Sequence, residues 1–288
     1  MSWQMLLGIN LISGVIRESI NKKIVSKIDP FVSLFYLVIL GFFWLYPYQW
    51  MVAGKLPEFD FVATLPGVFF VVSFVSYFSA MKISLSQTIL FQSYSILITL
   101  ALSAIFLGEA RYFDITTVTG LKVVSGIILA IISLWFLLHV GRKKEEQLER
   151  KWFFYILLVI LFGGTGAFLS ISNLKWLTPQ DMIINQSYAM AVLLFVLIKA
   201  LRKKLSIDKK GSFLLFVSSF VATVAVISFY EMFSLMAVAK ILPVQQVSLV
   251  VLTMISAIIF YKESNIFSGK RLIGMAMGMA GILLLVTS

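Results

Sequence analysis

The chain reads as a succession of apolar runs, each about twenty residues long, joined by short polar links. The runs fall at 2–21, 31–53, 60–81, 86–107, 115–139, 152–171, 179–201, 212–238, 243–261 and 270–287. About 20 apolar residues carry a helix across the ~30 Å hydrocarbon core, so the pattern predicts ten transmembrane helices. Segments such as ILITLALSAIF are apolar on every side, whereas a transmembrane β-barrel needs strands that alternate in polarity. The predicted class is all-α integral membrane. Two starts carry local signals: Asp29-Pro30 and Thr178-Pro179 place a capping side chain before a proline at the first helical position, where its missing N–H has no partner to lose. Pro243 is expected to open the ninth helix in the same position without a cap. The opening MSWQMLLGINLIS lacks the basic flank of a secretory signal and is read as a retained first helix.

Composition fixes the solvent. Of 288 residues 60% are hydrophobic and 13% charged, about half the charge that a soluble domain carries. Ten crossings leave no room for a separate catalytic domain. The chain has no cysteine and one histidine, His139, which excludes disulfides, thiolate metal sites and any site needing two imidazoles. The aspartates, at 29, 60, 114, 181 and 208, fall in links or at helix ends, and no GxxxxGK[ST] pattern occurs. Catalysis, cofactors and metals are therefore not expected.

A net charge of +11 would suggest nucleic acid in a soluble chain, but in a membrane chain it marks loops held on one face. The links after helices one, three, five, seven and nine carry 18 lysines and arginines, and the opposite links carry 4. The positive-inside rule makes the first set cytoplasmic and puts both termini outside, in a cell (inner or plasma) membrane. The expected partners are the lipid bilayer and a small-molecule solute, with no nucleic acid; monomer and homodimer both remain open.

The two halves look related. An offset of 154 pairs Glu109 with Glu263, Phe113 with Phe267, Gly120 with Gly274 and Gln92 with Gln246, while an offset of 149 pairs Gly14 with Gly163 and Pro30 with Pro179. A small gap reconciles the two. Five helices per unit force the second unit to enter the membrane from the opposite side, which predicts two inverted-topology five-helix repeats. The units are 1–141 and 152–288, joined by a basic cytoplasmic linker at 142–151.

The stretch FLGEARYFDITTVTGLKVVSGIILA, preceded by SAMKISLSQTILFQS and echoed by MAVAKILPVQQVS and YKESNIFSGKRLIGMAMGMAGILL, resembles the EamA-type drug/metabolite transporter superfamily over nearly the whole chain. The resemblance implies a ten-helix bundle with a substrate cavity between its two inverted units, and termini in the cytoplasm. The charge count opposes that last implication and, as a property of this chain, is preferred here. Lys262 stands where the first half has Gly108, and Ser264 and Asn265 stand where family members often carry a basic residue.

Few charges remain inside the predicted helices. Glu231, in the eighth, is the first candidate for substrate binding or proton coupling, because an intramembrane carboxylate is costly unless paired or hydrated. Its 154-offset counterpart is Tyr77. In the first helix Asn10, Gly14, Arg17, Glu18 and Asn21 share one face, expected to point inward. Arg17 can recognise a carboxylate or phosphate through its planar fork, or pair with a glutamate. Glu18 is a second proton-coupling candidate and resembles the first-helix glutamate of small multidrug exporters. Arg17 and Glu18 are placed about 8 to 10 Å from the helix centre, toward the cytoplasm. Gln92, Ser95, Thr99 and Ser103 stripe the fourth helix and Gln246, Thr253 and Ser256 the ninth; these are cavity walls or interhelical glue. Lys122 can pair with Glu231 or snorkel. Gly163, Gly164, Gly166 and the Gly274/Gly278 pair read as packing devices, and Glu109 and Glu263 as structural. The expected function is secondary transport of a small metabolite, an amino acid or other small organic solute, by alternating access. The alternatives are multidrug or organic-cation efflux by proton antiport and, in other classes, an intramembrane enzyme or a structural protein.

Overall fold

The computed structural model describes residues 2–83, 85–138 and 146–261, with scattered helical positions between 269 and 284. His139, Lys262, Glu263, Gly278, most of the tenth predicted helix and the basic residues at 142–144 lie outside the described residues. The described residues form helices and no strand. Among the described residues five helices are long and apolar enough to cross a bilayer: Pro30–Ala53, Phe61–Lys82, Lys151–Asn173, Pro179–Ala200 and Lys209–Leu235. Large apolar side chains such as Phe43, Phe61, Val118 and Phe213 are exposed on their outer faces. A membrane protein presents such faces to acyl chains.

In chain order the helices are α1 (Trp3–Val25), α2 (Pro30–Ala53), α3 (Phe61–Ile83), α4 (Leu85–Gln92), α5 (Ser95–Phe106), a short 3-10 turn (Glu109–Phe113), α6 (Val118–Leu138), α7 (Glu146–Asn173), α8 (Pro179–Ala200), α9 (Lys209–Leu235) and α10 (Val238–Tyr261). The local start signals hold. Asp29 accepts from the Phe31 amide at 3.0 Å, and Thr178 accepts from the Asp181 amide at 3.1 Å, each ahead of a proline at the first helical position. Gly54 ends α2 in the left-handed conformation, φ 65°, donating to the Trp50 carbonyl.

Four expectations are corrected. The segment expected as one helix over 86–107 is broken at Ser93–Tyr94, where the amides of Tyr94, Ile96 and Leu97 bond three residues back instead of four. The helix expected to open at Pro243 starts at Val238, with Pro243 inside it. Its start is set from elsewhere, since the Glu109 carboxylate accepts from the amides of Val238 at 3.0 Å and Ala239 at 3.1 Å. Third, α9 begins three residues early because Asp208 caps it through the Gly211 amide. Fourth, residues 146–151 of the expected linker belong to α7.

Packing joins the chain's first half to its second. The principal contacts set α1 against α9 and α10, α3 against α7 and α8, α2 against α8 and α9, and α5 against α7. Close approach demands missing side chains at two crossings. A Cβ on Gly67 would lie 2.1 Å from the Gln186 carbonyl oxygen, and one on Gly164 would lie 2.5 Å from that of Ser95. The start of α2 and the segment after α8 meet where Lys203 pairs with Asp29 at 2.8 Å. At the other end Gln49 donates to Asp181 at 3.0 Å, and buried Asn185 takes the Asp60 amide and donates to the Glu58 carbonyl. The link between α2 and α3 is thereby pinned to α8.

Candidate functional site: a charged cluster in a central cavity

Near the middle of the bundle, α1, α2, α3, α4, α8 and α9 surround a cavity of about 140 Å³, roughly ten times the ~10–15 Å³ that seats one water. Gly41 and Met190, mid-way along α2 and α8, fix its level. Its apolar wall includes Leu37, Val38, Phe74, Phe78, Met190 and Val226. The polar side is built by the first helix.

Arg17 and Glu18 are neighbours in sequence, and both line the cavity. Arg17 donates from Nε at 3.0 Å and from one terminal nitrogen at 2.6 Å to the same oxygen, Glu18 Oε1. Tyr77, on α3, donates its hydroxyl to Glu18 Oε2 at 2.7 Å. The Glu18 side chain is only 4% exposed against 24% for Arg17, so the carboxylate is nearly covered while more of the arginine stays open. One turn on, Asn21 accepts from Ser218 of α9 at 2.8 Å. A buried carboxylate in lipid requires this degree of satisfaction.

The expected inward face of α1 holds, since Asn10, Gly14, Glu18 and Asn21 are buried. Depth is corrected. Because α1 runs on to Val25, Arg17 lies three residues, ~4.5 Å, from its centre instead of 8 to 10 Å. Asn10 lies outside the cavity lining, donating to the Ala225 carbonyl at 2.7 Å and accepting from Gln245 at 2.9 Å. Gln92 lines the cavity at the end of α4, beside the helix break. Gln246 is half-buried and outside the lining; its neighbour Gln245 takes the buried position facing α1. Thr99 donates to the Gly164 carbonyl at 3.0 Å and so joins α5 to α7.

Glu231 lies nearer its helix end than the expected span 212–238 puts it. With α9 ending at Leu235, it sits nine residues, ~13.5 Å, from the helix centre. There it accepts from Gln180 at 2.7 Å, outside the cavity lining. Lys122 is half-buried in α6. Sequence reasoning passed over Gln186, Ser187, Ser219 and Thr223, which complete the polar lining from the second half. A cluster of polar residues in PQDMIINQSYA, unusual for a membrane helix, was the available signal for the first two.

The fold recurs among solved proteins. One crystal structure matches with a TM-score of 0.69 at 15% identity, over 96% of this chain and 98% of the other. Identity at that level speaks for the shared fold alone. No family model and no curated protein matches the sequence.

The cavity's chemistry is narrow. The lining carries one guanidinium, one carboxylate and a set of uncharged amides and hydroxyls against apolar walls. Such a lining has the donors, acceptors and apolar surface to hold and orient a small polar molecule.

Proposed function

We propose that the chain is a secondary transporter of the EamA type, moving a small organic solute, an amino acid or related metabolite, by alternating access of two inverted five-helix units. The observation that carries the reading is the Arg17–Glu18–Tyr77 cluster in a cavity walled by helices of both halves. Charged groups at mid-membrane are costly and are kept where a solute or ion needs them.

Packing supports the repeat. Exchanging α1 with α7, α2 with α8, α3 with α9 and α5 with α10 turns the α1–α9 contact into α7–α3, α2–α9 into α8–α3 and α5–α7 into α10–α1, and leaves α2–α8 unchanged. Two copies of one bistable unit can swap conformations around a fixed site. The break between α4 and α5 beside Gln92 suits that motion, since broken helices in carriers line the substrate cavity.

In this reading the basic loops face the cytoplasm. The test is uptake by proteoliposomes of the purified full chain, offered a metabolite mixture and read by mass spectrometry. Accumulation of at least one solute above empty liposomes is expected. Equality with empty liposomes for every solute overturns the proposal.

A further inference from the structure

Positive charge gathers at one end of the bundle, where α1 and α8 finish and α2 and α9 begin. The segments 23–29 and 199–210 carry eight exposed lysines and arginines against two aspartates, Asp29 and Asp208. Both aspartates are already engaged, since Asp29 caps α2 and pairs with Lys203 while Asp208 caps α9. The segments are also held together. Tyr36 donates to the Leu205 carbonyl at 2.9 Å, and a Cβ on Gly211 would lie 3.0 Å from Ile28 Cδ1. At the other end of α2 and α8 the balance reverses, with Glu58, Asp60 and Asp181 beside Lys55 and Lys175. A one-sided surplus of this size draws anions from the adjoining phase.

The outer face of α8 points to the kind of anion. Val192, Val196, Lys199 and Lys203 follow at spacings of four, three and four, which puts an apolar stripe directly beneath two cations. Val192, Phe195 and Val196 are 65%, 45% and 54% exposed, and the stripe runs ~10 Å from Val192 to Lys199. The Lys199 ammonium lies 5.5 Å from the centre of the Phe195 ring, which packs in turn against Phe35 of α2 at 6.1 Å. Beyond Lys199 the chain turns at Arg202, the one non-glycine among the described residues with a positive φ, 51°. Glycine takes that conformation without strain. An arginine is held there against its local preference, and neither Arg202 nor Lys204 forms an ion pair with a described residue.

We propose that the α2–α8 seam at this end binds an anionic phospholipid of the adjoining leaflet, with its acyl chains along Val192, Phe195 and Val196 and its phosphate between Lys199 and Arg202. A lipid with a choline head fills the track but brings its own cation to a basic site. A free phosphate meets the charges and leaves the apolar track unused. A soluble acidic partner likewise meets the charges, while the track lies below the level of the head groups. The assignment does not depend on what the central cavity carries.

The test is native mass spectrometry of the full chain in detergent, offered equal amounts of phosphatidylglycerol and phosphatidylcholine with the same acyl chains. Phosphatidylglycerol is expected to be retained at least fivefold over phosphatidylcholine. Lys199→Gln/Arg202→Gln should bring the ratio near one, whereas Lys82→Gln/Lys151→Gln, at the same membrane face but away from α8, should leave it unchanged. Arg202→Gly relaxes the backbone and so should unfold no more readily than the unaltered chain, yet it should lower the ratio twofold or more. A ratio near one for the unaltered chain overturns the site, and so does an equal loss in the Lys82/Lys151 pair. Displacement of the lipid by glycerol phosphate at the same concentration would mark a free-phosphate site, and displacement by an acidic decapeptide a soluble partner; either result overturns the lipid.

Discussion

Tyr77 on α3 donates its hydroxyl proton to Glu18 on α1 at 2.7 Å, across 59 residues of sequence. The bond ties the floor of the cavity to the helix that carries its charges. Removing a hydrogen bond to a charged partner costs ~1.5–3 kcal/mol. Tyr77→Phe is expected to lower the unfolding midpoint in detergent and to slow solute uptake, because Glu18 then holds Arg17 less firmly. Uptake unchanged at equal protein loading would show that the bond serves only the fold.

Glu18→Gln is expected to act more strongly than Glu231→Gln. It leaves Arg17 without its counter-charge, and breaking a fully buried pair costs ~3–5 kcal/mol; Arg17 keeps 24% side-chain exposure, so the cost here falls below that range. Glu231 sits near the end of α9 beside Gln180, and its replacement is expected to stay within ~0.5 kcal/mol. Thermal unfolding and initial uptake rates of the two variants, measured side by side, check the ranking.

Three glycines separate packing from helix propensity. Gly67→Ala forces a methyl to within 2.1 Å of the α8 backbone, and Gly164→Ala to within 2.5 Å of the α5 backbone. Both should lose stability by ~1–3 kcal/mol. Gly8→Ala, inside α1 with nothing within 4 Å of the added carbon, should gain ~0.4–1 kcal/mol. Unfolding midpoints moving in the same direction for all three would contradict the crossings described.

How far these features were legible depends on how local their causes are. Asp29-Pro30 and Thr178-Pro179 announce their helices because cap and proline are adjacent in sequence. The start of α10 was misread because its cap, Glu109, is 129 residues away. The break at Ser93–Tyr94 carries neither glycine nor proline, so nothing in the stretch QSYS marks it. The Arg17–Glu18 pair was visible as sequence, yet its depth depended on where α1 ends, and a run containing Lys22 and Lys23 hides that end. Glu231 drew attention by being a carboxylate in an apolar run, but three residues of register moved it to a helix end.

Burial raises the Glu109 carboxyl above its usual value, and its bonds to the Val238 and Ala239 amides only partly offset that. A folded-state value above the unfolded one means that the folded protein holds this proton more tightly, so the group's contribution to stability falls as pH rises from about 4.5, the ordinary glutamate value, through the raised value. Glu109→Gln removes this slope and loses part of the cap, at ~1 kcal/mol. Subtracting the unfolding midpoints of Glu109→Gln from those of the unaltered chain across this pH range should give a difference that declines as pH rises.

The absence of cysteine makes topology directly measurable. With basic loops in the cytoplasm, Glu58→Cys is expected to react with a membrane-impermeant thiol reagent on intact cells, and Lys203→Cys only after permeabilisation. The reverse pattern would invert the orientation and leave the fold as described.

Glu109 in the first half completes the helix start of α10 in the second. Two amides at that N-terminus have no acceptor of their own, and lipid offers none. The order of synthesis is therefore also an order of assembly: the acceptor is in the membrane before the helix that needs it emerges. The second half made alone lacks this acceptor, so it is not a self-sufficient unit.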